Sequence, residues 1–182
     1  MKILLLGLNH ELQWKDPTGD LKKFLGQQFK SSSIGLVAEE ARSLPTTVAQ
    51  RLASQYDKPW MDIDLSSADL KLAGIYDELQ KRRHLPIDPS VNSDRREEYL
   101  PNADGIRETE WVRRILSHRV DLVLCLFGFL HVDPLKQKLE EKGCCVERLD
   151  VANTPWFKLN YGTYRIVEEN GTRWCEITKS CD

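Results

Sequence analysis

The sequence carries no excess of charge of either sign. Its 182 residues hold 26 Lys and Arg against 28 Asp and Glu, a formal net charge of −2. That balance excludes wholesale electrostatic binding to nucleic acid or an anionic membrane surface, and leaves only a local basic patch as a route to either. Long apolar runs are also missing. The longest, Leu122 to Leu130 between Asp121 and His131, is far short of the ~20 residues that a spanning helix needs. Met1–Leu6 is apolar, but Gly7, Asn9, His10 and Glu11 follow at once, so it reads as a buried first strand and not as a signal peptide. No repeat of solenoid period and no low-complexity tract stand out. Cysteine is present without a pattern: Cys125, Cys144, Cys145, Cys175 and Cys181 are odd in number and form no Cys-x-x-Cys pair. A zinc knuckle or a disulfide framework is therefore not expected, and a reduced, cytoplasmic protein with structural thiols is. The sequence also has no Walker loop, no GxGxxG after its first strand, no GxSxG elbow and no HExxH helix.

What is present is alternation, in a chain 41% hydrophobic and 30% charged that can build a sizeable core. Strand-like apolar runs fall at Lys2–Leu6, Ile34–Ala38, Trp60–Leu65, Val120–Phe127 and Cys144–Leu149. Helical patterns lie between them, at Gly19–Phe29, Thr46–Gln55, Ser66–Arg82, Gly105–His118 and Pro134–Lys142, the last with Asp133 as a cap before Pro134 and Gly143 just past its end. Such alternation predicts an α/β fold with a mostly parallel central sheet and helices on both faces. Asn170-Gly171 between two β-rich segments predicts a C-terminal β-hairpin that extends the sheet edge or covers one opening. The expected organisation is a single α/β domain over 1–182, with a core over 1–150 and a hairpin extension over 151–182. His84 to Asp104 is the least patterned stretch, with Pro86, Pro89, Pro101 and the charge run Asp94–Glu98. It reads as a solvated connection with a helical turn at Ser93–Leu100, or as a lid.

In a parallel α/β sheet, ligands gather outside the carboxyl ends of the strands. Gly7-Leu8-Asn9-His10 follows the first predicted strand, Glu39-Glu40 the second, Asp62 and Asp64 lie near the end of the third, and Gly128-Phe129-Leu130-His131 follows the fourth. Two histidines and several carboxylates thus converge on one edge, a set that binds a divalent metal or positions a water between acid and base. The glycine three residues before each histidine is expected to let the chain turn sharply where its strand stops. Each residue also has a plain role: capping or hydrogen bonding for the histidines, a solvated helix start for Glu39 or Glu40, a turn for Asp62 or Asp64. The helix Gly105–His118 adds a stripe of Arg107, Glu110, Trp111, Arg114 and His118, with Glu108, Val112 and Ile115 alongside. Arg107, near its start, is expected to reach the sheet edge and meet an anionic substrate group, with Trp111 packed behind it.

The paired Gly7-x-x-His10 and Gly128-x-x-His131 resemble the two GxxH motifs of the Tiki and TraB proteins, in the wider superfamily with ChaN and erythromycin esterase. The second match extends through Leu124–Leu149: an apolar strand, GxxH, a leucine-bearing helix, Gly143, and a strand ending Val146-Glu147-Arg148-Leu149. Glu39 after the second strand and an arginine on the helix before the second GxxH (Arg107, Arg113 or Arg114) are also similar to the family pattern. The resemblance covers most of Met1–Leu149. It implies an α/β core with a site made of both histidines and the acidic residue, serving metal-dependent proteolysis in Tiki-like members, ester hydrolysis by an activated water in esterase-like members, and haem binding in ChaN-like ones.

Two functions follow as expectations. The first is a small intracellular hydrolase of this type. In it His10, Glu39 and His131, with Asp64, hold a divalent metal, or His10 with Glu39 or Glu40 activates water directly, while Arg107 orients a small-molecule or peptide substrate bearing an anionic or carbonyl group. The second is a non-catalytic module that uses the same cleft to capture a ligand or protein segment.

Overall fold

The computed structural model describes residues 1–41, 45–82, 84–86, 95–151, 154–161 and 163–178. In chain order its elements are β1 (Lys2–Leu8), α1 (His10–Trp14), α2 (Asp20–Ser31), β2 (Leu36–Glu39), α3 (Val48–Gln55), β3 (Trp60–Asp62), α4 (Ser67–Leu72), α5 (Tyr76–Gln80), β4 (His84–Pro86) and β5 (Arg95–Glu98). There follow α6 (Pro101–Leu116), β6 (Leu122–Gly128), a short 3-10 turn (Phe129–His131), α7 (Val132–Glu141), β7 (Cys145–Leu149), α8 (Pro155–Tyr161), β8 (Thr163–Glu169) and β9 (Thr172–Thr178). Two compact units result: Met1–Ser66 with Arg107–Leu149, and Ser67–Ile106 with Asp150–Asp182.

The first unit is a five-stranded, all-parallel sheet in the order β3-β2-β6-β1-β7, flanked by helices. β1 and β6 lie inside the sheet, and their apolar runs are continuous because both of their faces are covered. Ile3, Leu5, Leu6, Val123, Leu124, Leu126 and Phe127 are fully buried, each contributing about 1.5–3 kcal/mol of hydrophobic stabilisation. Helix α7 begins at Val132, so Asp133 and Pro134 sit inside its first turn and His131 occupies the cap position. It stops at Gly143, whose positive φ of 81° lets Cys144 N–H return to the Leu139 carbonyl at 3.1 Å.

In the second unit the Asn170-Gly171 turn joins β8 to β9 as an antiparallel hairpin. The hairpin does not extend the parallel sheet: β9 pairs with β5, giving a separate antiparallel sheet in the order β4-β5-β9-β8. The expected helical turn at Ser93–Leu100 is therefore a strand over Arg95–Glu98, with residues 93 and 94 outside the described residues. Arg96 explains why: across the sheet its guanidinium meets Glu169 and Glu176, both at 2.6 Å, and lies over the Trp174 ring. The expected helix Ser66–Arg82 is split into α4 and α5 at Gly74, whose φ of 72° ends the first piece. Helix α6 starts at Pro101, earlier than its pattern suggests, with the Asp104 carboxylate accepting Leu100 N–H at 2.8 Å. Cys125, Cys144, Cys145 and Cys175 are free thiols, and Cys181 lies outside the described residues. Among the described residues no helix is long and apolar enough to cross a membrane.

Candidate active site

Every residue of the candidate site belongs to the first unit, at the carboxyl edge of the parallel sheet. Asn9, directly after β1, accepts Glu11 N–H at 2.9 Å and so starts α1 with His10 as its first residue. β2 ends at Glu39, and Glu40 continues its path, with its own N–H donating to the Leu126 carbonyl of β6 at 2.9 Å. The turn after β6 delivers His131 to the same edge.

Glu40 is the carboxylate at which these elements meet. Its Oε1 accepts from an Arg107 terminal nitrogen at 2.6 Å and its Oε2 from Gly128 N–H at 2.9 Å. The Nε2 of His10 lies 3.7 Å from Oε2, and the Nε2 of His131 lies 3.9 Å from Oε1. Two imidazoles thus flank opposite oxygens of one buried carboxylate. Neighbouring residues of an extended chain point to opposite sides, and Glu39 accordingly faces other partners. Thr47 Oγ1 and Trp60 Nε1 donate to its Oε2 at 2.6 and 2.9 Å, and Gln13 Nε2 donates to its Oε1 at 3.0 Å. Burial pushes the Glu39 carboxyl above its ordinary pKa, against the pull of those three hydrogen bonds.

Gln13 links the two glutamates to His10: its Oε1 lies 2.7 Å from His10 Nδ1, and its Nε2 also donates to the Glu40 carbonyl at 3.2 Å. His131 is anchored in the same way, its Nδ1 standing 2.9 Å from Glu108 Oε1, both side chains being buried. An edge-on contact with Trp111 fixes the His131 ring, with centroids 4.9 Å apart. Arg107 stacks on the same indole, its guanidinium 4.6 Å from the ring centroid of Trp111. Its donors go to Glu40 and to Asp64 Oδ1, the latter at 3.0 and 3.3 Å. In this geometry Arg107 aims the Glu40 carboxylate. Asp62 secures the neighbouring turn by accepting from Ala41 N–H at 3.3 Å and Asp64 N–H at 2.9 Å. Arg114 holds the Asp64 carbonyl at 2.9 Å, while Arg113 pairs with Glu110 on the exposed side of α6.

The two motif glycines are needed for room. Gly7 lies within β1, and Gly128 has an ordinary φ of −59°. A Cβ on Gly7 would stand 2.5 Å from Val132 Cγ2, blocking the packing of the turn that carries His131. A Cβ on Gly128 would stand 3.1 Å from His10 Nε2 and 3.5 Å from Glu40 Oε2, in the space that these groups share.

Gln13, Thr47 and Trp60 escaped the reading of the sequence as site residues, and Glu108 enters it only as a neighbour of the Arg107 stripe. The Asn9 cap was a usable signal for the first, since it starts a helix at His10 and places Gln13 on the same face three residues on. Glu108 shares the apolar stripe of Trp111, Val112 and Ile115, and a carboxylate in a buried stripe marks a paired, special environment.

Glu40 and Asp64 both meet Arg107, and Glu108 meets His131, so the carboxylates beside the two rings favour a positive guest, whether a proton on imidazole or a cation. Its imidazole and carboxylate donors suit a borderline divalent ion such as zinc. Among the described residues, no three His, Cys, Asp or Glu side chains are gathered closely enough to hold an ion as they stand. The 3.7 and 3.9 Å separations to different oxygens of Glu40 agree with that. An open groove of about 770 Å³ lies elsewhere, between α6 and α7 along Val112, Leu116, Lys138 and Lys142, and contains none of these residues. The chain matches no protein-family model, no curated protein and no solved structure.

Proposed function

We propose that the first unit is a small hydrolase in which His10, Glu40 and His131 activate a water against a carbonyl or phosphoryl centre. The observation that carries this reading is the approach of two Nε2 atoms to opposite oxygens of one buried carboxylate, at 3.7 and 3.9 Å. Such gaps are too long for a direct hydrogen bond and suit a bridging water that contacts both groups. His10 is the proton acceptor in this scheme, because its side chain is 42% exposed and open to a substrate, whereas His131 is 2% exposed. Glu40, aimed by Arg107 and Gly128 N–H, orients the water and balances the imidazolium that forms. Asp64 and Arg114 brace Arg107 and the turn behind it.

A divalent cation is a variant of the same reading; His10, His131 and Glu40 would be its donors, once they draw in from their present separations of 3.7 and 3.9 Å. When bound, such an ion lowers the pKa of a coordinated water towards neutrality. The resemblance to Tiki, TraB and erythromycin-esterase proteins points to the same chemistry. The test is a panel of ester, peptide and phosphoester substrates assayed with and without added zinc or manganese, alongside metal analysis of the purified protein. Turnover that His10→Ala abolishes supports the proposal. Stoichiometric ligand capture with no turnover of any substrate replaces it with a binding module.

A further inference from the structure

A side-chain amide has a donor end and an acceptor end, and the surroundings of Gln13 decide which is which. One end lies 3.2 Å from the backbone carbonyl oxygen of Glu40, an atom that only accepts, and 3.0 Å from a carboxylate oxygen of Glu39. That end is therefore the NH2, and its two hydrogens are both used. The other end, Oε1, lies 2.7 Å from His10 Nδ1, and two acceptors cannot meet at that distance. Nδ1 must carry a hydrogen. Gln13 is 1% exposed, so water does not substitute for it, and Thr47 and Trp60 hold the Glu39 carboxylate that it contacts. The donors run in one sense, from His10 through Gln13 to Glu39.

We propose that Gln13 is a positioning residue that locks His10 in its Nδ1–H tautomer and thereby presents the Nε2 lone pair to Glu40. A ring of neutral imidazole has one proton to place, and which nitrogen holds it is set by the partner of the other. Without Gln13 the ring is free to take the Nε2–H form, which turns a donor towards the water and cannot accept its proton. The tautomer stands on the geometry alone, while its consequence for turnover rests on the hydrolytic reading above.

The experiment is nitrogen NMR on protein labelled in its histidine rings, at a pH where His10 is neutral, with His10→Gln used to assign the signal. In the unaltered protein His10 should show a protonated Nδ1 and a bare Nε2. In Gln13→Met, which keeps the size and removes both ends of the amide, the Nε2–H form should become the major species. Any hydrolysis found on the substrate panel should then fall on the order of 10²-fold or more in kcat, the range expected when a general base is lost, with KM little changed. An unaltered protein whose His10 is mainly Nε2–H overturns the inference, even if Gln13→Met does not fold. So does a folded Gln13→Met variant with the same tautomer ratio. A ratio that inverts in a protein with no hydrolytic activity upholds the role of Gln13 and removes the hydrolase.

Discussion

Replacing Arg107 by methionine tests the electrostatics on which the cluster depends. The change keeps an unbranched side chain against Trp111 but withdraws the guanidinium from Glu40 and Asp64, whose side chains are 6% and 13% exposed. Removing one partner of a buried ion pair costs roughly 3–5 kcal/mol, because the other charge stays behind without compensation. Loss of the cation–π contact adds about 1 kcal/mol, and the partial exposure of Asp64 moves the total back towards 3 kcal/mol. For a chain of this size each kcal/mol moves Tm by about 2–4 °C, so calorimetry at pH 7 should show a fall of about 6–12 °C. Adding Glu40→Gln to Arg107→Met should recover about 1 kcal/mol or more, since the stranded charge is then gone. A fall below about 2 °C, or a double variant no more stable than the single one, refutes the reasoning. Either result means that Arg107 does not hold Glu40 as the 2.6 Å contact implies.

Other outcomes follow from the same contacts. His10→Ala should leave stability within about 1 kcal/mol of the parent, whereas His131→Ala removes a buried ring packed on Trp111 and its hydrogen bond with Glu108, and should cost about 2–4 kcal/mol in urea unfolding; equal costs would show that the two rings are not differently embedded. Gly128→Ala should impair turnover or ligand binding more than stability, read by kinetics beside thermal melts, because its Cβ would crowd His10 Nε2 at 3.1 Å. Glu110 is held down to about 2 chiefly by the hydrogen bond from Arg113, with burial opposing it and Arg114 adding a further hydrogen bond. Its folded pKa is depressed, so its contribution is present above the unfolded value and lost as pH falls through the folded one. Glu110→Gln should accordingly lower stability by about 1 kcal/mol at pH 7, after allowance for solvent screening, and the difference should shrink as pH falls and vanish only below about pH 2. A thiol reagent should label the exposed Cys145 in the native protein and leave Cys125 untouched until unfolding, since burial raises the Cys125 thiol pKa; peptide mass spectrometry decides.

The parallel sheet was legible because its central strands are buried on both faces and therefore spell continuous apolar runs, as in Ile3–Leu6 and Leu122–Phe127. The placement of His10 and His131 on one edge followed from where each Gly-x-x-His stands relative to those strands. Three things were not legible, each for a physical reason. Glu39 and Glu40 are adjacent at the end of β2, and nothing local says which of two alternating side chains turns towards the histidines; packing of Thr47 and Trp60 against Glu39 decides it. The motif glycines are required by close approach of Val132, His10 and Glu40, partners distant in sequence, and not by a turn. β5 consists of Arg95, Arg96, Glu97 and Glu98, which has no apolar alternation to detect; it is held by backbone pairing opposite Ile177, Glu176, Cys175 and Trp174 of β9, with Arg96 meeting Glu176.

Glu40→Gln, compared with the unaltered protein on the best substrate of the panel, measures the central claim most directly. The substitution keeps shape, removes the charge between the two imidazoles, and leaves one acceptor oxygen where Arg107 and Gly128 N–H now meet two. The account predicts that kcat/KM falls on the order of 10²-fold or more while the fold persists. Turnover equal to that of the unaltered protein would contradict it.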